Sequence, residues 1–136
     1  MKLNIIPDVV RDKRIVIVED SVVRGTTTRS KMRAIRRAGA QEIHLRVSCP
    51  PIRHPCFYGI DFPTSEELIA HNRTVDEIAQ FLEVDSLAYL SLDGLLACMK
   101  MPTSEYCTAC WSGKYKIPID NPQAKFSFER DQLKMF

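Results

Sequence analysis

The chain lacks any apolar run approaching the ~20 residues that a membrane-spanning helix needs, and its first residues lack the long apolar core of a secretory signal. These two absences predict a cytoplasmic protein with no membrane partner. An excess of one charge is also missing. Nineteen Lys+Arg stand against seventeen Asp+Glu, a formal net charge of +2, which gives no electrostatic reason to expect nucleic acid as a partner. No internal repeat, low-complexity tract or second domain interrupts the pattern. What is present, 136 residues with 45% hydrophobic and 26% charged side chains, has the make-up of one globular domain. Five cysteines, an odd number, include the pair Cys107-x-x-Cys110. Without a secretory signal, that spacing points to metal or redox chemistry rather than a disulfide framework.

Residues 14–18, Arg-Ile-Val-Ile-Val, form a β-branched run closed by Glu19 and Asp20, which reads as a parallel strand buried on both faces. A polar turn from Ser21 to Thr27 follows. From Thr26 or Thr27 as N-cap, a helix is expected as far as Ala38, with Met32, Ile35 and Ala38 on one face and Gly39 as its stop. Ile43 to Val47 is the next strand, so the order is βαβ and the default sheet is parallel. Pro50, Pro51 and Pro55 forbid regular structure across 49–56, and a loop runs on to Pro63. Two capping boxes, Thr64-x-x-Glu67 and Thr74-x-x-Glu77, predict short helices over 65–71 and 75–82. Leu87 to Leu90 reads as a short strand and Leu92 to Met99 as a helix. From Met101 the periodicity dissolves.

A strand ending in two carboxylates, followed by a hydroxyl-rich loop at a helix N-terminus, can hold a phosphorylated sugar. Backbone N–H groups of Arg24 to Thr27, the hydroxyls of Ser21, Thr26 and Thr27, and the positive end of the helix dipole can surround a phosphate dianion. Gly25 lets the backbone come close. Glu19 and Asp20 lie at the carboxyl end of the strand, where open α/β sheets bind ligands, and can hold ribose hydroxyls or a magnesium ion attached to them. The same strand, acid, turn and helix also occur as plain scaffolding, so spacing alone leaves both readings open.

Residue identity goes further. Ile15-Val-Ile-Val-Glu-Asp-Ser-Val-Val-Arg-Gly-Thr-Thr27 resembles the phosphoribosyl-diphosphate-binding signature of type I phosphoribosyltransferases, and its Asp-Ser-x-Val-Arg-Gly-Thr-Thr form resembles that of the amidophosphoribosyltransferase family. The likeness continues through Pro50-Pro-Ile-Arg-His-Pro-Cys-Phe-Tyr-Gly-Ile-Asp61, Glu66-Glu-Leu-Ile-Ala70, Val75-Asp-Glu-Ile78 and Leu90-Ser-Leu-Asp-Gly-Leu95. The resemblance implies that Glu19 and Asp20 bind magnesium and the ribose hydroxyls, while Ser21, Arg24, Gly25, Thr26 and Thr27 receive the 5-phosphate. Glu19 stands where many members have Asp, which keeps the charge. The substrate so implied is phosphoribosyl diphosphate or a related phosphosugar, with a nucleotide as a candidate effector.

The cysteines resemble those of the cluster-bearing branch of this family, which implies that Cys56, Cys107 and Cys110 are three thiolate ligands of an iron–sulfur cluster. Cys49 is a candidate fourth. Cys98, within an apolar helix, reads as a small buried side chain. A zinc site built from Cys56, Cys107, Cys110 and His54 is the competing chemistry, and free thiols are the plain alternative. Arg29, Arg33, Arg36 and Arg37 fall on one helix face, read as solvated, with an acidic partner or nucleotide effector as the alternative. His44, His54 and His71 have no partner at metal or triad spacing and read as structural.

The expected fold class is therefore α/β. It is a partial type I phosphoribosyltransferase fold over residues 1–100, a parallel sheet with short helices, followed by an irregular cysteine-containing tail over 101–136 that is no independent domain. The resemblance also leads one to expect that the family's glutaminase domain and the first strands of its catalytic domain lie outside this sequence. On that expectation the chain is a fragment of the enzyme, inactive alone and self-associating through an exposed sheet edge, with the glutaminase supplied by another chain. The rival expectation is a non-enzymatic module that binds a phosphosugar or nucleotide.

Overall fold

The computed structural model describes residues 4–60 and 64–119. Three strands, β1 (Arg14–Glu19), β2 (Glu42–Val47) and β3 (Ser86–Tyr89), form a parallel sheet in the order β1-β2-β3. A short α1 (Pro7–Val10), not expected from periodicity, precedes β1 with Pro7 at its first position, where the missing N–H is no loss. Helix α2 (Thr26–Arg37) connects β1 to β2, and α3 (Val75–Leu82) enters β3 through Glu83 to Asp85. Two further short helices, α4 (Leu92–Ala97) and α5 (Ala109–Ser112), follow.

Register explains which side of the sheet is dry. Ile15 pairs with Ile43, Ile17 with Leu45 and Leu45 with Leu87, so these side chains share one face with Val47 and Tyr89. That face holds the core. Met32 of α2 packs there with Ala40 and Ile43, while Ile69, Ala70, Ile78 and Leu82 close over Leu45, Val47 and Val22. The opposite face carries Val16 and Val18, which are 65% and 71% exposed, beside His44, Arg46 and Ser86. The expectation that β1 is buried on both faces is thus corrected. Its β-branched run covers two faces of which only one meets other described residues. On the outer face, Glu42 binds Arg14 at 2.7 Å and His44 at 2.9 Å, and His44 reaches Ser86 at 2.8 Å.

Two boxes of similar sequence behave differently. Thr74 and Glu77 form a complete capping box on α3, as expected. Thr64 caps nothing, and the predicted helix over 65–71 shrinks to one 3-10 turn, Ser65–Glu67. The reason lies in what comes next. Leu68, Ile69 and Ala70 are consecutive and all buried, which one helix face cannot achieve, and the Ile69 N–H donates to the Val23 carbonyl at 2.9 Å instead of continuing a helix. The last predicted helix likewise stops early, at Ala97, and Cys98 at its end is exposed rather than buried.

The chain after Met101 keeps a 3-10 turn at Thr103–Glu105 and α5, where the sequence predicts an irregular tail. Within the described residues this segment is tied to the proline loop. Cys110 O accepts from both Arg53 N and His54 N at 3.0 Å, Tyr115 Oη donates to Pro55 O at 2.7 Å, and the Phe57 and Tyr115 rings meet edge to face at 5.2 Å.

Candidate functional site

β1 ends at Glu19, and the chain then turns through Ser21, buried Val22 and Val23 to enter α2. Gly25 is the N-cap, with φ of +77°, and no side chain caps the helix. The expectation that Thr26 or Thr27 caps α2 is corrected: both are inside its first turn. Their hydroxyls are not used as caps. Because the Arg29 N–H is the first to find a carbonyl one turn back, on Gly25 at 2.8 Å, the N–H groups of Thr26 to Thr28 are left at the open end of the helix. This leaves a row of donors at the positive pole of a twelve-residue helix.

A cleft of about 260 Å³ opens over that row, lined by Glu19, Ser21, Val23, Arg24, Gly25, Thr26, Thr27 and Thr28. Six residues singled out in the sequence are therefore brought together. Asp20 is adjacent and exposed but not part of the lining, and its Oδ1 accepts from the Ser21 N–H at 2.5 Å and the Ser21 hydroxyl at 3.2 Å. Val23 and the buried Thr28 were not singled out by motif reasoning. Nor were two partners of the site charges. Glu67 binds Arg24 at 2.8 Å, and Lys31 binds Glu19 at 2.8 Å. Lys31 sits on α2, so the helix that follows an acid could have suggested it; Glu67 is 43 residues from Arg24 and carries no local signal.

The arginine face of α2 is not simply solvated. Arg29 and Arg33 both reach Glu83 Oε1, and Arg36 binds Asp85 at 2.6 Å, so three of the four arginines tie α2 to the α3–β3 turn. Arg37 is exposed. Paired with these arginines, the Glu83 carboxyl is held down to about 2, Arg33 contributing most and Arg29 next. Of the histidines, His44 and His71 are held by structural bonds, His71 Nδ1 lying 3.0 Å from Arg53 O, and His54 packs on Gly113.

The thiols of Cys56, Cys107 and Cys110 share one neighbourhood. Burial pushes the Cys110 thiol up to about 11, and Cys56, Cys107 and Cys49 add to the shift in that order. Cys49 is likewise pushed up to about 11, by burial first and then by Asp20. Sulfur is the donor a soft metal or a cluster takes, but thiols pushed up in this way keep their protons in the structure, and among the described residues no group of three His, Cys, Asp or Glu side chains is placed to hold a metal ion. Among the same residues, no helix is long and apolar enough to cross a membrane.

The strand thus delivers its carboxylates and a hydroxyl-lined loop to the open N-terminus of a helix, within a parallel α/β unit. No family model matches the chain. Known proteins do. It is 56% identical over 119 residues to the amidophosphoribosyltransferase of Synechocystis sp., covering 88% of this chain and 24% of that protein. It is 45% identical over 130 residues to the amidophosphoribosyltransferase of Methanothermobacter thermautotrophicus, covering 96% of this chain and 27% of that one. The fold superimposes on glutamine phosphoribosylpyrophosphate amidotransferase from B. subtilis, solved with ADP and GMP, with a TM-score of 0.78 at 46% identity over 86% of this chain and 27% of that structure. The chain is thus homologous, over most of its own length, to one segment of the amidophosphoribosyltransferases, and it spans about a quarter of the length of these relatives.

Proposed function

We propose that this chain supplies the ribose 5-phosphate-binding part of an amidophosphoribosyltransferase site. In that reaction ammonia derived from glutamine attacks C1 of phosphoribosyl diphosphate, the C1–O bond breaks, pyrophosphate leaves, and the nitrogen gives up a proton to yield phosphoribosylamine. The observation that carries the reading is the cleft lined by Glu19, Ser21 and Arg24 to Thr28 over the free N–H groups of α2. Thr26 and Thr27 receive the phosphate by hydroxyl and N–H, Arg24 stands at the rim in its ion pair with Glu67, and Glu19 and Asp20 orient the ribose hydroxyls. Chemistry of this kind rests on positioning a reactant whose leaving group departs readily, so fixing the 5-phosphate fixes C1.

Magnesium belongs to this reading as the companion of the pyrophosphate and ribose hydroxyls, with Glu19 and Asp20 as its carboxylates. Lys31 holds Glu19 Oε1 and Ser21 holds Asp20 Oδ1, and the ion is read as arriving with the substrate on the carboxylates' other oxygens. The iron–sulfur reading of Cys56, Cys107 and Cys110 rests on their shared neighbourhood and is a structural role; no step is routed through it. A nucleoside monophosphate carries the same ribose 5-phosphate, and one structural relative is complexed with ADP and GMP. Competition of nucleotides for the cradle is therefore part of the proposal, as are a cytoplasmic location, self-association, and a glutaminase partner as ammonia source.

Titration calorimetry with ribose 5-phosphate tests the cradle. The parent chain binds, and Thr26→Val with Thr27→Val weakens binding, each lost hydrogen bond to a charged group being worth ~1.5 to 3 kcal/mol. Equal affinity in the double variant would remove this loop from the site.

A further inference from the structure

Gly25 has backbone freedom that no side chain of its own can restrain, yet the cradle works only if the loop holds one shape. Its neighbours supply the restraint. A Cβ built on Gly25 would lie 2.5 Å from Ile69 Cδ1 and 3.3 Å from both Phe81 Cε1 and Leu82 Cδ2, so the glycine faces Ile69, ahead of α3, and Phe81 and Leu82 at the end of α3. Phe81 is itself gripped by cations. The Arg29 guanidinium lies 4.6 Å from the ring centroid and that of Arg73 lies at 5.5 Å. Arg29 also returns to the loop, its N–H bonding the Gly25 carbonyl at 2.8 Å, and its side chain bonds Glu83 at 2.8 Å. Backbone, ring and guanidinium therefore close a short circuit: Gly25 on Phe81, Phe81 on Arg29, Arg29 back to Gly25.

We propose that Phe81 is a positioning residue for the phosphate loop, acting through Gly25, with Arg29 as its clasp rather than as a phosphate ligand. This deepens the phosphosugar reading and rests on it. Arg29 is absent from the cleft lining, and its guanidinium is turned to Glu83 and to the Phe81 ring rather than into the cradle. Neither residue lies in the motif. Phe81 is 56 positions from Gly25 and is presented by α3, whose own start is locked by the Thr74 and Glu77 capping box.

The test uses the whole chain and two readouts. Amide hydrogen exchange of the free protein at Arg29 and Ile69, the N–H groups that bond the loop carbonyls of Gly25 and Val23, reports the loop directly. Phe81→Leu speeds exchange at those two sites by about tenfold relative to amides of β2, which cancels any general loss of stability. Affinity for ribose 5-phosphate falls by about tenfold, and Phe81→Tyr, which keeps the ring face, restores both readouts. Arg29→Gln, which leaves the core intact, gives the same local acceleration should Phe81→Leu fold poorly. Unchanged relative exchange at Arg29 and Ile69 in both variants overturns the proposal. If the parent itself does not bind ribose 5-phosphate, the phosphosugar reading fails, and the exchange data still decide whether Phe81 holds the loop.

Discussion

At Gly25 two constraints fall on one residue. The φ of +77° excludes most side chains, and the contact with Ile69 excludes even a methyl group without movement of the core. Gly25→Ala is therefore expected to cost about 2 to 5 kcal/mol, the sum of a left-handed backbone and an overpacked contact. Urea denaturation measures it, and a loss under ~1 kcal/mol would mean that the loop relaxes easily. The glycine itself was legible in the sequence, since the motif placed it between Arg24 and Thr26. Its second role was not, because nothing local announces Ile69 and Phe81 as its floor. At the cysteines the relation is reversed: the motif named Cys56, Cys107 and Cys110, and the fold brings them near one another without joining them. Anaerobic reconstitution with iron and sulfide is expected to give broad visible absorbance that Cys107→Ser abolishes, because thiolate-bound clusters absorb and zinc does not. Stoichiometric zinc uptake without iron would favour the competing site.

Among the elements, α2 shows how a helix with a weak apolar face is fixed. Its buried side chains are few, Thr28 and Met32, and the rest of its anchorage is ionic, through Arg29 and Arg33 to Glu83 and Arg36 to Asp85. Asp85 also accepts the Ile43 N–H at 2.7 Å, so the same turn holds the start of β2. Periodicity found α2 because Met32, Ile35 and Gly39 mark its face and end. It could not tell whether the arginines faced water or acids, since Glu83 and Asp85 lie about 50 residues away. Glu83 has a folded value of about 2 against an ordinary 4.5, so the stability it lends is present above about 4.5 and is lost as pH falls through about 2. Glu83→Gln is expected to lower stability near neutral pH and to flatten its fall across that acid window. A pH series of urea midpoints checks this, and parallel curves for parent and variant would show the ion pairs to be idle. For α3, Thr74→Ala removes the hydroxyl that accepts the Glu77 N–H, leaves the residue-74 N–H donating to the Glu77 carboxylate, and is expected to cost ~1 kcal/mol, whereas Thr64→Ala, at the box that never forms, costs a few tenths at most.

Across the whole molecule the element order was readable because each strand and helix is announced locally, by β-branched runs, glycine stops and caps. Layering was not, because a run such as Ile15-Val-Ile-Val18 is the same whether one face is covered or two. The register resolves it: Ile15 and Ile17 face the core, and Val16 and Val18 face outward on a strand paired along one edge only within the described sheet. Exposed apolar residues on an open edge favour pairing with another surface, and the cost of removing them depends on whether that surface is present. Replacing both valines by threonine keeps β-branching and nearly the same volume while adding a hydroxyl, which water can satisfy on an open face but an apolar contact cannot. In dilute solution the double variant is expected to match the parent within about 0.5 kcal/mol per site, as surface substitutions do. Sedimentation at rising concentration is expected to show weaker self-association in the variant. A loss of several kcal/mol in the dilute chain would instead show that this face is covered in solution, and the single-layer arrangement of helices on one side of the sheet would have to be revised.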